Sequence, residues 1–376
     1  MCFLIGATGP GVTATGEAFI AGVSDDPYLF RTFVRAVLHT ANDGGEGRNS
    51  PPLVDSHLGT ELCYVQDGPN VPNNVADFPP PFEVEKEQPS RGINSAGLAF
   101  TCALAPQREP LPGEELHQPT TFAELSHRLM RECEDVDGAI RLLLGAKAVR
   151  PAFSVLLADD KGELAHVEVG LFGCSVLERY GKTSPGVVIA VNCHRSPKMV
   201  SNNAPVAQLE CPANNNALRL NRGWELAKEL RGDIDVSALA AILSDHNNRE
   251  RSSAENKLIP FWGHSICNHG TREEENYCVE QPPWGSVSGE IFQPRLRAMH
   301  YCYGWPCGKK PQHGDQLFQE RSWGSFQAFA LPTSGAQSDN LVDSIHMAAP
   351  EGKTVQLTTI FGELTPEAAK YMSAEN

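Results

Sequence analysis

The order of elements along the sequence predicts a layered α+β fold. Strands come first, then a helix pair, more strands, a second helix pair and strands again, with no stretch alternating strand and helix as a βαβ protein does. Polar turns between neighbouring strands, and Thr or Asp just ahead of the helical runs, support the same reading.

CFLIGAT, the turn TATG and EAFIAGVS make an N-terminal hairpin, which puts Cys2 at a strand end. From about residue 40 to 91 the composition shifts to Pro, Gly, Asn and charge, broken by the strand-like TELCYVQ. An insertion or lid is expected there within a single domain spanning 1–376. GINSAGLAFTCAL reads as a turn feeding an apolar strand. TTFAELSHRLMRE and DVDGAIRLLLGA follow as capped helices. AFSVLLAD and LAHVEVG flank the turn DKGE, and VLERYG and GVVIAVNCH continue the strands. ALRLNRGWELAKEL and DVSALAAILSDH form the second helix pair, before strands at WGSVSGEIF, LRAMHYCYG, FQAFALP and TVQLTTIFG.

Of the 376 residues, 41% are hydrophobic and 20% charged, enough apolar content for a sizeable core. A formal charge of −15, without clustered Lys and Arg, argues against a nucleic-acid or anionic-membrane partner. No apolar run is long enough to span a membrane, and the start lacks the basic and apolar regions of a secretory signal. The cytoplasm is the expected location. The 11 cysteines have no framework spacing and read mostly as reduced core thiols. His264, Cys267 and His269, with Cys302 and Cys307 further on, carry zinc-ligand chemistry. Their spacing fits no standard paired-ligand pattern, so no metal and no cofactor is expected.

Cys2 directly follows Met1. Removal of Met1, usual before a small side chain, would place a thiol and a free α-amine on one residue. Their reference pKa values, about 8.5 and about 7.7 to 8.0, lie close together. The amine can then serve as base for its own thiol, as in an N-terminal nucleophile. A lone cysteine at a strand start is otherwise simply a small buried residue.

CFLIGAT, TATGEAFIAGVSDD, RGINSAGLAFTCAL, GVVIAVNCH, NNALRLNR, AAILSDH, HSICNHG and YGWPCG stand in an order that resembles the cysteine N-terminal nucleophile hydrolases. Within them the sequence is most similar to the isopenicillin N acyltransferase branch, and more distantly to dipeptidases and to bile-salt and penicillin V acylases. The resemblance implies a four-layer αββα sandwich, two antiparallel sheets between helical layers. It also implies cleavage of a linear amide, in a small peptide or N-acyl amino compound, through a thioester on Cys2. Two alternatives stand beside this: an acyltransferase using the same site, and a catalytically silent binding protein. Because Cys2 follows only Met1, no self-cleavage into two subunits is expected.

The same resemblance places catalytic roles on particular residues. Asp26, or its neighbour Asp25, stands where the family carries an Asp at the end of the second strand, although either could merely cap the turn before Pro27. Val23 occupies the place of a basic residue that often precedes that Asp, so no Arg-assisted thiolate carries over. Asn192 matches the asparagine that holds the oxyanion, and His194, two residues on, could face the same side. The second oxyanion donor is expected among the backbone amides of Thr101, Cys102 and Ala103. Ala103 lacks the polar side chain that some relatives carry. Arg219, with Arg222 behind it, corresponds to the family arginine that supports the site or a substrate carboxylate. Ser288 lies in a strand that lines the pocket in relatives. The partner expected is a small-molecule amide or peptide, with a homo-oligomer left open.

Overall fold

The structure is a computed structural model that describes residues 2–27, 30–38, 54, 56–64, 89–114, 116–209, 215–246, 265–268, 284–307, 326–331, 346–348 and 354–356. Its first strands are β1 (Phe3–Thr8), β2 (Phe19–Pro27), β3 (Phe30–Leu38), β4 (Ser56–Tyr64), β5 (Arg91–Asn94) and β6 (Ala99–Leu104). The short β7 (Thr120–Thr121) leads into helices α1 (Phe122–Glu132) and α2 (Val136–Gly145). Then come β8 (Val149–Arg150), β9 (Phe153–Ala158), β10 (Leu164–Gly170), β11 (Gly173–Tyr180) and β12 (Gly186–Val191). Helices α3 (Asn215–Glu229) and α4 (Val236–Leu243) precede β13 (Trp284–Gln293), β14 (Ala298–Tyr303), β15 (Gln327–Ala330), β16 (His346–Ala348) and β17 (Thr354–Gln356).

Two large sheets result, one ordered β12-β1-β2-β13-β14-β15-β16-β17 and the other β11-β10-β9-β6-β5-β4-β3. All pairings within them are antiparallel. Helices α3 and α4 cover the outer face of the first sheet, α1 and α2 that of the second. This is the αββα order that the resemblance implies. The predicted hairpin is present as β1 and β2, with Phe3 opposite Val23.

Strand β1 is buried along its whole length because it packs on both faces, so it reads as an unbroken apolar run rather than an alternating one. Phe3, Ile5 and Ala7 join Leu220, Leu239 and Ile242 under the helices. Leu4, on the other face, joins Ile93, Ala103, Leu156 and Phe292 between the sheets. Two glycines set the spacing around it. A Cβ on Gly22 would lie 2.9 Å from Thr101 Oγ1, so the absence of a side chain lets the sheets close at that point. A Cβ on Gly223 would lie 2.6 Å from the Phe3 ring, so α3 rests directly on β1.

The helices begin where capping chemistry predicts. Thr121 accepts a hydrogen bond from the Glu124 amide at 3.1 Å, Asp135 from Gly138 at 2.9 Å and Asp235 from Ala238 at 2.8 Å. The strand anticipated at TELCYVQ is present as β4, shifted toward the N-terminus. Residues 65–88, most of the remaining expected insertion, lie outside the described residues, as do His264 and His269. Cys2, Cys133 and Cys174 are free thiols. No described helix is long and apolar enough to cross a membrane.

Candidate active site

The register places Cys2 just before β1, beside the end of β12 that carries Asn192. The Cys2 backbone nitrogen donates to Asn192 Oδ1 at 2.5 Å. From α3, Arg219 donates through Nη2 to the same Oδ1 at 3.0 Å and through Nη1 to the Cys2 carbonyl at 2.7 Å. Because arginine has no acceptor, its contact identifies the Asn192 oxygen. Nδ2 therefore turns the other way and donates to the Leu104 carbonyl at 2.7 Å. One N–H of that amide remains to serve a ligand. Asn216 braces the group, accepting from Arg219 at 2.9 Å and donating to the Asn192 carbonyl at 3.1 Å.

Arg219 is buried, and that burial lowers its pKa, opposed first by Asp25 and then by Cys2 and Cys193. Asp25 Oδ2 lies 3.5 Å from Nη1, while Oδ1 accepts from Ser286 Oγ at 2.8 Å. The carboxylate joined to this cluster is thus Asp25, where the sequence favoured Asp26. Asp26 is described through its strand pairing with Gly285, and its side chain lies outside the described residues.

Ser288 does not stand beside Asp25. A register shift between Ser286 and Ser288 leaves Val287 as an extra residue, which reverses the faces of the two serines. Ser286 turns to Asp25 and Ser288 to Glu290, whose Oε1 accepts from its hydroxyl at 2.7 Å. The other Glu290 oxygen pairs with Arg91, an arginine on β5 that the sequence reading passed over. Arg91 Nη2 also reaches the carbonyls of Val23 at 3.1 Å and Cys102 at 3.4 Å. Burial works against its charge, but Glu290 and then the sulfurs of Cys2 and Cys102 outweigh it and hold its pKa above the usual arginine value. A cation from the opposite sheet thus sits against the backbone of Val23, where the sequence lacks a basic side chain.

Strand parity turns the Ala103 amide away from Asn192. Ala105 N donates to the Ala152 carbonyl at 2.9 Å and Ala103 pairs with Ser154, so the Ala103 amide faces β9. Cys102 and Leu104 turn their backbone groups to the other edge, where Arg91 and Asn192 take their carbonyls. The amide beside Asn192 is therefore that of Leu104, a residue whose apolar side chain gave no signal in the sequence.

His194 and Arg222 stand apart from this cluster. The His194 ring lies between Gln107 and the Phe153 carbonyl, each at 3.3 Å, and burial lowers its pKa. Arg222 points to Asp245 and Glu225.

Residues 87–280, just over half of the chain, match the family model described as acyl-coenzyme A:6-aminopenicillanic acid acyl-transferase. The chain belongs to this acyl-transferase family. Arg91, Asn192 and Arg219 fall inside the stretch that matches the family model, and Cys2 and Asp25 precede it. No curated protein sequence matches the chain. Among solved structures, a mutant of the conjugated bile acid hydrolase from Clostridium perfringens is similar over 81% of this chain and 89% of that one, at 12% identity and a TM-score of 0.47. The penicillin V acylase from Agrobacterium tumefaciens is similar over 80% and 82%, at 12% identity and a TM-score of 0.45. The Caenorhabditis elegans N-acylethanolamine-hydrolyzing acid amidase ortholog is similar over 88% and 100%, at 9% identity and a TM-score of 0.40.

Proposed function

We propose that this acyl-transferase family member is an N-terminal-cysteine amidohydrolase that cleaves a linear amide through a thioester on Cys2. The observation that carries the reading is the pairing of the Cys2 nitrogen with Asn192 Oδ1, while the Asn192 amide group faces the Leu104 edge. One side chain thereby orients the base and presents an oxyanion donor.

With Met1 removed, the α-amine keeps one N–H on Asn192 Oδ1 and takes the thiol proton. The thiolate attacks the substrate carbonyl, and negative charge develops on its oxygen. Asn192 Nδ2 and the Leu104 amide stabilise that oxygen, fixed dipoles that need no reorganisation as the charge forms. The C–N bond then breaks, the α-ammonium delivers its proton to the leaving amine, and the acyl group stays on sulfur. Water activated by the same amine releases the acid and regenerates the thiol. Arg219 and Asp25 are positioning residues, since they act through Cys2 and Asn192.

The family match favours a second reading, in which an amine rather than water receives the acyl group. The balance depends on whether the closed site excludes water from the thioester. A small-molecule amide or peptide encountered in the cytoplasm, with no nucleic-acid or membrane partner, belongs to the same proposal.

Intact mass gives the first test, because retained Met1 would remove the base. An activated acyl donor should then label Cys2 as a hydroxylamine-labile adduct, and an added amine should divert the acyl group only if transfer competes with hydrolysis. Labelling spread evenly over the cysteines would favour the silent binding protein.

A further inference from the structure

A second constellation lies behind Asp25. His246 at the end of α4, Cys267 in the segment 265–268 and Cys307 after β14 each offer one ligand atom, and the three atoms lie within 4.8 Å of one another. They come from segments far apart in sequence. His246 was not among the histidines that the sequence suggested, and His264 and His269 lie outside the described residues.

Hydrogen bonds outside the ligand atoms hold the three segments together. Ser265 Oγ gives its proton to the Cys267 carbonyl at 2.6 Å, so toward His246 Nδ1, 3.3 Å away, it can only accept. Nδ1 therefore carries the ring proton, and the lone pair is on Nε2, as in metal-bound histidines whose other nitrogen is fixed by a hydrogen bond. The Cys267 amide donates to the Asp245 carbonyl at 3.2 Å, and Arg222 grips the Asp245 carboxylate at 3.0 Å. Ser244 Oγ shares its proton between the Ala240 carbonyl at 2.7 Å and the Pro306 carbonyl at 2.9 Å, next to Cys307. Cys267 packs with Val287 and Trp305 in a small apolar cluster against which Cys307 rests.

We propose that His246, Cys267 and Cys307 form a zinc site and supply three corners of its tetrahedron. Two thiolates and a neutral imidazole are a soft, zinc-selective donor set, and together they cancel the ion's charge, which suits a largely apolar place. Binding releases the two thiol protons to solvent. The ion would also brace the active site. Asn268, next to Cys267, donates its amide to Ser286 Oγ at 2.9 Å, and that hydroxyl supports Asp25. The proposal does not depend on Cys2 being a nucleophile.

The test is the zinc content of the full chain, loaded with zinc, passed through gel filtration without chelator and measured by plasma mass spectrometry. About one zinc per chain is expected, falling below about a tenth in His246→Gln and Cys307→Ser but unchanged in Cys174→Ser. Should the variants fail to fold, the wild-type chain provides a second readout. Cys267 and Cys307 should resist iodoacetamide while zinc is bound and react once a chelator removes it. Absence of stoichiometric zinc in the loaded wild type overturns the proposal. So does zinc that both variants retain, or recovery of Cys267 and Cys307 as a disulfide after lysis in alkylating buffer.

Discussion

Arg91 on β5 and Glu290 on β13 form a buried ion pair that ties one sheet to the other across the gap that Cys2 borders. Ser288 and the carbonyls of Val23 and Cys102 complete its hydrogen bonds, so neither charge is left uncompensated. Removing one partner of such a pair costs more than removing both, because an unpaired charge then stays buried. Arg91→Met should therefore lower unfolding stability by about 3–5 kcal/mol, and Arg91→Met with Glu290→Leu should recover much of the loss. Urea denaturation measures both. A single variant within about 1 kcal/mol of wild type would mean that water already reaches Glu290.

That pair also marks the limit of what the sequence discloses. Local signals were legible: the β1 and β2 hairpin, the Thr121 and Asp135 caps, and the strand end at Asn192 all depend on residues a few positions apart. Arg91 was not legible, since RGIN reads as the lead-in to a turn and its partner lies 199 residues away. Ser286, rather than the expected Ser288, reaches Asp25 because a bulge, invisible to a period-two reading, separates them. Strand β3 was missed for a different reason. Phe30, Phe33, Val34 and Val37 are spaced as on a helix face, and pairing with β4 overrides that local preference.

In the proposed mechanism Asn192→Ala should reduce kcat by about 10²–10³, because it removes the proposed oxyanion donor along with the acceptor that holds the Cys2 nitrogen. KM should change little, as the lost interaction strengthens only when charge develops. Steady-state kinetics on any amide that acylates Cys2 would decide this. A loss confined to KM would move Asn192 from the reacting atoms to substrate binding.

His166 predicts a pH dependence of stability. Burial first, then Arg195 and His194, lower its pKa from 6.5 to about 3. Between these values the unfolded chain binds a proton that the folded chain refuses, so this contribution is complete above pH 6.5 and shrinks as the pH falls toward 3. The slope approaches ~1.4 kcal/mol per pH unit at most. His166→Gln should flatten the stability profile in that window relative to wild type, whatever it does to stability at neutral pH. Parallel profiles would show that the imidazole titrates alike in both states.

Thiol chemistry should separate Cys2 from the core cysteines. Cys133 packs beneath α1 and α2, and burial, followed by Glu132, pushes its thiol up to about 12. Burial raises Cys174 as well. At pH 8 only about one Cys133 in ten thousand would be a thiolate, and the thiolate is the species that attacks. Cys2 is only partly buried, at the residue just before β1. A limiting dose of iodoacetamide should therefore modify Cys2 well before Cys133 or Cys174, as read by peptide mass spectrometry. Comparable labelling of Cys133 would mean that the layer between the helices and the second sheet opens to solvent. Selective loss of Cys2 reactivity in Arg219→Met, with Cys133 still protected, would tie that reactivity to the arginine that holds the Cys2 carbonyl and Asn192 in place.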